Sequence, residues 1–323
     1  MRRSDHDVTD SIRVTDAGAV ATEVGRIYKA MFGSGRSPEL KRAFRDVDLL
    51  YRGKHPDYCA CDTEYHDVQH VLDVTLAMAR LMDGYQKSGH GRLTKDLFVV
   101  GAIAALFHDF GYLRRRHDHR HRHGAEYILT HVSRGSTFLR RYVHRLGMGW
   151  EMAELAAVLV HFTGYERPAE TIRLSGDRER RLGQMLGTAD IIAQMSDRCY
   201  LEKCRDRLYP EFVLGRIAPD VASGEELVRR TPGFYVGAKK RLSLQLARSY
   251  DYAARHFNGE NLYLDEMEKN VRHAARVAQV PAIPEEMKAL LRRRPPALVR
   301  PGRPEVVGAV DRLHGDVAQL RAL

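Results

Sequence analysis

Apolar residues recur along this chain at helical intervals, and the clearest runs carry their own start and stop signals. "SPELKRAFRDVDLLYRG" opens on Ser37 as a cap with Pro38 in the first turn, and closes at Gly53, which suits one helix. "TEYHDVQHVLDVTLAMARLMDGY" sets Val68, Val71, Leu72, Leu76, Ala79 and Met82 near one side of a helix ending near Gly84. "TKDLFVVGAIAALFHDFGY" starts at a Thr94 cap and is apolar all round, the pattern of a central, buried helix. Further helical segments are predicted at about 122–133, 137–146, 150–162, 178–207, 237–257 and 261–279. No stretch sustains period-two alternation between turn residues, so the fold class is predicted to be all-α, without a sheet.

The same pattern divides the chain. Residues 1–17 are polar and weakly patterned and predict a flexible N-terminus. One helical domain is expected over 18–290, with a motif core at about 60–200 on which the remaining helices pack. From 291 to 323 the chain reads as a basic linker and tail. "RRRPPALVRPGRP" has four prolines among five arginines, which forbids a continuous helix, and a short amphipathic piece follows from Glu305 to Leu323.

Composition changes this picture little. The formal charge of +10 over 323 residues fits an anionic partner such as a nucleotide or an anionic surface, with nucleic acid not expected. Cys59, Cys61, Cys199 and Cys204 lack paired C-x-x-C spacing and read as free thiols of a reducing compartment. "MRRSDHDVTDSIRV" has no apolar stretch behind its basic residues, so no signal peptide is expected. The longest apolar run, Leu97 to Phe107, falls short of the ~20 residues of a spanning helix. A cytoplasmic protein without a membrane span is expected, its oligomeric state left open.

The candidate chemistry lies in histidines and aspartates set on these helices. His66 and His70 are four apart, one turn from each other on one face, and Asp73 continues that stripe. The stripe lies opposite the apolar one, so on this helix alone it could face water. His108 and Asp109 end the most apolar run, His123 opens "HGAEYILTHV", His161 ends "ELAAVLVHFTGY", and Asp190 sits within "GTADIIAQMSD". An isolated buried carboxylate costs several kcal/mol or more, and a divalent cation is the natural compensation. Mixed imidazole and carboxylate donors suit first-row metals.

The order His70, His108–Asp109, Asp190 resembles the H…HD…D signature of the HD-domain superfamily of metal-dependent phosphohydrolases. "EYHDVQHVLDV" is also similar to the Y-H-N-x-x-H-x-x-x-V opening of class I cyclic-nucleotide phosphodiesterases. The resemblance implies an HD-like helical bundle that hydrolyses a phosphoester, with one or two divalent ions (Fe, Mn, Mg, Co or Zn). His70, His108, Asp109 and Asp190 would hold the first ion, and Asp109 would bridge to a second supported by His123 and His161. His66 would protonate the departing oxygen while metal-activated water attacks. Two departures stand out: Asp67 takes the place of Asn, and "FGY" follows the HD pair where class I phosphodiesterases carry a second Asp-His pair. They favour a broader HD phosphohydrolase over a cyclic-nucleotide enzyme.

"RRRHDHRHRHGAE" follows soon after. Its Arg114, Arg115, Arg116, Arg120 and Arg122 read as a phosphate-gathering rim, since guanidinium forks match phosphate oxygens. His121 or His117 could replace His123 as ligand, and Glu126 could orient a ligand. Lys239, Lys240 and Arg241 are further candidates for a substrate phosphate. Tyr65 and Tyr112 could stack on a base, and Thr163 and Tyr165 could line the pocket. Two other functions fit the same residues: di-iron oxygen chemistry, and a regulatory module that binds metal and nucleotide without turnover.

Overall fold

The computed structural model describes residues 2–33, 37–280 and 284–298 of the chain, and among them every extended regular element is helical. The N-terminal elements are α1 (Ala17–Phe32), α2 (Pro38–Tyr51), α3 (Val68–Lys87) and α4 (Lys95–Leu106). The expected caps are in place: the Ser37 hydroxyl accepts the Leu40 N–H and the Thr94 hydroxyl accepts the Leu97 N–H, each satisfying a free donor of a first turn. Asp67 caps α3 by accepting the His70 N–H. An aspartate serves there as well as the asparagine of the phosphodiesterase pattern.

α3 is the axis of the molecule. It packs against α1, α4, α7 (Asp177–Ser196) and α11 (Asp251–His256) and is buried from Val68 to Tyr85. The polar stripe opposite its apolar face therefore meets other helices, not water. α4 is buried from Leu97 to Leu106, as its composition predicts. α5 (His131–Val143) and α6 (Gly149–Leu159) pack together on the far side of α4.

Three predicted helices are shorter or broken. The segment at 122–133 holds a single 3-10 turn, Gly124–Tyr127, and α5 starts only at His131. The run at 178–207 breaks at Asp197, whose carboxylate takes the Cys199 N–H and the Lys203 ammonium while Asn270 holds its carbonyl. The four-residue α8 (Tyr200–Lys203), a wide turn and α9 (Tyr209–Gly215) follow. The run at 237–257 is split between α10 (Gly224–Lys240) and α11, because Ala247 and Arg248 take left-handed backbone angles. α12 (Leu262–Gln279) and α13 (Pro284–Leu290) complete the helices.

Described residues on both flanks of the expected helical domain contact it. Asp7 is buried and its carboxylate pairs with Arg80 of α3 at 2.5 Å. Arg293 donates its backbone N–H to Glu202 and a guanidinium N–H to Asn270, and Arg207 reaches the Pro296 carbonyl. The expected amphipathic piece, 305–323, lies outside the described residues. Among the described residues, no helix is long and apolar enough to cross a membrane.

Candidate metal centre and the cavity beside it

α4 ends at Leu106, and the chain turns through His108 and Asp109 into a 3-10 turn, Phe110–Tyr112. The turn brings the next polar pair onto the buried end of the apolar helix. His108 Nδ1 donates to the Ala105 carbonyl at 2.8 Å. That bond fixes the tautomer, leaving Nε2 as a lone-pair donor. His70, in the first turn of α3, sets its Nε2 3.3 Å from that of His108. Asp109 Oδ2 lies 3.3 Å from His70 Nε2 and 3.2 Å from His108 Nε2. Asp190, midway along α7, adds Oδ1 at 3.4 and 3.8 Å from the same two nitrogens.

These donors come from α3, the end of α4, and α7, and meet in the interior. His70, His108 and Asp109 are all buried, and their ligating atoms are close enough together to hold one metal ion. Asp109 Oδ2 is buried without a hydrogen bond, which is costly unless a cation meets it. The electrostatics agree. Burial would raise the Asp109 carboxyl, but the neighbouring His108 and His70 rings hold it well below the usual carboxylate range. Burial likewise opposes charge on His70, yet the Asp109 and Asp190 carboxylates push that ring up to about 10. The nest thus demands positive charge, and a divalent ion fits it in charge, donor type and spacing.

Beside the cluster, His66 Nδ1 meets Glu211 Oε2 at 2.5 Å, while Glu211 Oε1 accepts the Tyr65 N–H at 2.6 Å. Burial alone would lower the His66 pKa, but the Glu211 carboxylate raises it above the ordinary imidazole value. The Tyr112 ring is sandwiched between His66 at 4.5 Å and His131 at 4.3 Å. A cavity of about 520 Å³ opens over these groups, with Asp109, Asp190, His66 and His131 on its polar wall. Its other walls are largely apolar, including Ile128, Leu227, Phe212 and Phe234.

Comparison with known proteins bears on this arrangement. No family model matches the chain, and no curated protein matches it. Chains of solved structures do match, among them the phosphodiesterase domain of the RhoPDE fusion protein from the choanoflagellate Salpingoeca rosetta. The two are 13% identical and superpose with a TM-score of 0.50, covering 86% of this chain and 95% of that one. What they share is the fold.

Within that fold, the candidates fall into two groups. His66, His70, His108, Asp109 and Asp190 converge, and Tyr65, Tyr112, Thr163 and Tyr165 line the cavity. His123 and His161 do not join the donor cluster found among the described residues. His123 caps its 3-10 turn by accepting the Ala125 N–H, and Glu126 closes that cap on the Arg122 and His123 N–H groups. His161 Nδ1 pairs with Glu166, and His121 pairs with Asp118. The histidine facing Asp109 from the other side is His131, with Nε2 3.8 Å from Asp109 Oδ1 and Nδ1 donating to the Ile128 carbonyl. His131 is not among the residues the sequence pattern singles out, and Thr130 just before it is the N-cap residue of α5.

The arginines expected to form a phosphate rim lie away from this cavity. None of Arg114, Arg115, Arg116, Arg120 and Arg122 is among the cavity-lining residues. Their loop runs back beside 57–59, where Arg114 pairs with Asp62 and Arg116 donates to the Gly53 and His55 carbonyls. The arginine on the cavity wall is Arg230 of α10, held by Asp220 and Glu226. Arg241 is buried and donates to the Phe162 and Gly164 carbonyls, so it shapes the cavity wall, while Lys239 and Lys240 are exposed. Glu211 and His131 are the functional candidates that sequence reasoning missed.

Proposed function

We propose that this chain is a metal-dependent phosphoester hydrolase whose substrate carries one phosphate on an organic group, with a mononucleotide the favoured class. The observation that carries this reading is the unbonded Asp109 Oδ2 facing two imidazole Nε2 atoms and Asp190, at the floor of a cavity that also holds His66. The solved neighbour, named as a phosphodiesterase domain, supports it. His70, His108, Asp109 and Asp190 would hold a divalent ion, and His131 faces the free side of Asp109. An ion bound there supplies Lewis acidity to a phosphoryl oxygen and lowers the pKa of water.

The remaining work falls to the chain's own side chains. Glu211 engages His66 Nδ1, which leaves Nε2 for the ester oxygen that departs. The raised pKa favours the protonated ring, the state a general acid needs. Tyr112 fixes the planes of His66 and His131 by stacking on both. The apolar walls seat a base or similar ring and exclude water, while one arginine on the wall suits one phosphate better than a triphosphate.

The test pairs elemental analysis of the purified chain with a metal-supplemented panel of mononucleotides, cyclic mononucleotides and p-nitrophenyl phosphoesters. Hydrolysis by the wild type is expected. Asp109→Ala should lose bound metal and drop in rate by more than the roughly 10–100-fold cost of losing an outer-sphere partner. No turnover of any phosphoester in metal-replete buffer would overturn the reading, and bound iron with oxygen consumption would replace it with oxygen chemistry.

A further inference from the structure

A second concave site lies behind the 3-10 turn, on the face of α5 that does not carry His131. Thr130, Ser133, Arg134, Thr137 and Arg141 recur at three- and four-residue steps and line a cleft of about 340 Å³, so one helical stripe presents them all. Arg115 enters from the loop opposite, held there by the antiparallel bridge between Tyr58 and Arg115. Tyr58, Phe110 and Phe138 form an aromatic floor, with Phe110 and Phe138 stacked at 3.5 Å.

The charge of this cleft is unbalanced. No carboxylate is among its lining residues, and none of Arg115, Arg134 and Arg141 forms an ion pair among the described residues. Asp118, a nearby acid, is spent on His121 and on the Arg120 and His121 N–H groups. Burial and the positive Arg115 lower the pKa of Arg134, as expected of a guanidinium short of counter-charge. Arg134 donates Nε to the Gly111 carbonyl and Nη2 to the Leu113 carbonyl, and lies 3.5 Å over the Tyr127 ring. Its Nη1 remains available.

We propose that this cleft is an anion site, separate from the metal cluster, for a small molecule carrying a pyrophosphate-like pair of phosphates. Three guanidinium groups around one concavity match several phosphate oxygens at once. Ser133 and Thr137 add hydroxyls, and the aromatic floor leaves room for an organic group beside the phosphates. Arg134 joins the two sites, because the carbonyls it holds belong to the turn that follows Asp109.

The experiment is calorimetric titration of the full chain with pyrophosphate, and in a second arm with a nucleoside diphosphate. It is run on wild type, on Asp109→Asn to disable the metal cluster, and on Arg115→Gln with Arg141→Gln. Both arginines are exposed, so their loss should leave the melting temperature near that of the wild type. Binding is expected to persist in Asp109→Asn and to weaken on the order of tenfold for each arginine removed. Tighter binding of the nucleoside diphosphate would assign the organic group to the aromatic floor, and equal binding would assign the site to free pyrophosphate. Absence of binding in Asp109→Asn, or equal affinity in the arginine variants, would overturn the proposal.

Discussion

At His66 the location of one proton separates an acid from a bystander. Burial favours the neutral ring, and the Glu211 carboxylate 2.5 Å from Nδ1 reverses that preference. The acid form is therefore present below the raised pKa and is lost as pH climbs through it. Removing the Glu211 charge should move the alkaline limb of kcat/KM toward lower pH, and the pH profile of Glu211→Gln measures this. An acid at this position contributes about 10²–10⁴-fold, but only when the departing oxygen needs a proton. His66→Asn should accordingly lose far more activity on an alkyl or nucleoside ester than on a p-nitrophenyl ester, whose anion leaves unaided. Equal losses on both would take the acid role from His66. The histidines and aspartates of this centre were legible because they interrupt apolar runs. Glu211 was not, since it lies 145 residues from His66 in "LYPEFV" and has the look of any surface glutamate.

Elements meet the centre at close quarters, and Gly111 sets how close. A Cβ on Gly111 would stand 1.8 Å from the His131 carbonyl oxygen, so the turn after Asp109 and the start of α5 touch only because the side chain is missing. That contact places His131 opposite Asp109. It also gives "FGY" a purpose, since only a glycine at its centre allows this approach. Gly111→Ala should push α5 away, costing about 1–3 kcal/mol by overpacking and weakening metal binding. Thermal melting and metal titration of the variant check both. The prediction fails if affinity is unchanged while stability falls. Caps at Ser37 and Thr94 were readable because a hydroxyl one residue before a helix has few other uses. The break at 124–130 was not, because His123 and Glu126 form a true capping box that starts only one 3-10 turn. The surroundings of α3 were hidden too: its polar stripe is buried, with His70 facing Asp190 of α7, and amphipathicity on one helix carries no record of its neighbours.

Across the whole molecule, the site depends on how α3 is anchored at its other end. Arg80 lies ten residues past His70 on the same helix, roughly 15 Å along the axis, and is fully buried. Its guanidinium pairs with Asp7 and donates to the Tyr263 hydroxyl at 2.9 Å. The N-terminal stretch and α12 are thereby tied to the helix that carries the metal ligand. Leaving a buried charge without its partner costs about 3–5 kcal/mol, whereas losing a hydrogen bond to a charged group costs about 1.5–3 kcal/mol. Asp7→Ala should thus lower the urea midpoint more than Tyr263→Phe does. The pH dependence has a defined sign. Burial acts to raise the Asp7 pKa, but Arg80 and the Ile12 N–H outweigh it and the carboxyl ends below its ordinary 3.8. Its contribution is then complete above the unfolded value and disappears as pH falls below 3.8 through the lower folded value. Asp7→Asn, already without that charge, should show a flatter stability curve than the wild type across this acid range. Parallel curves would mean that the Asp7–Arg80 pair does not hold the N-terminal stretch in place.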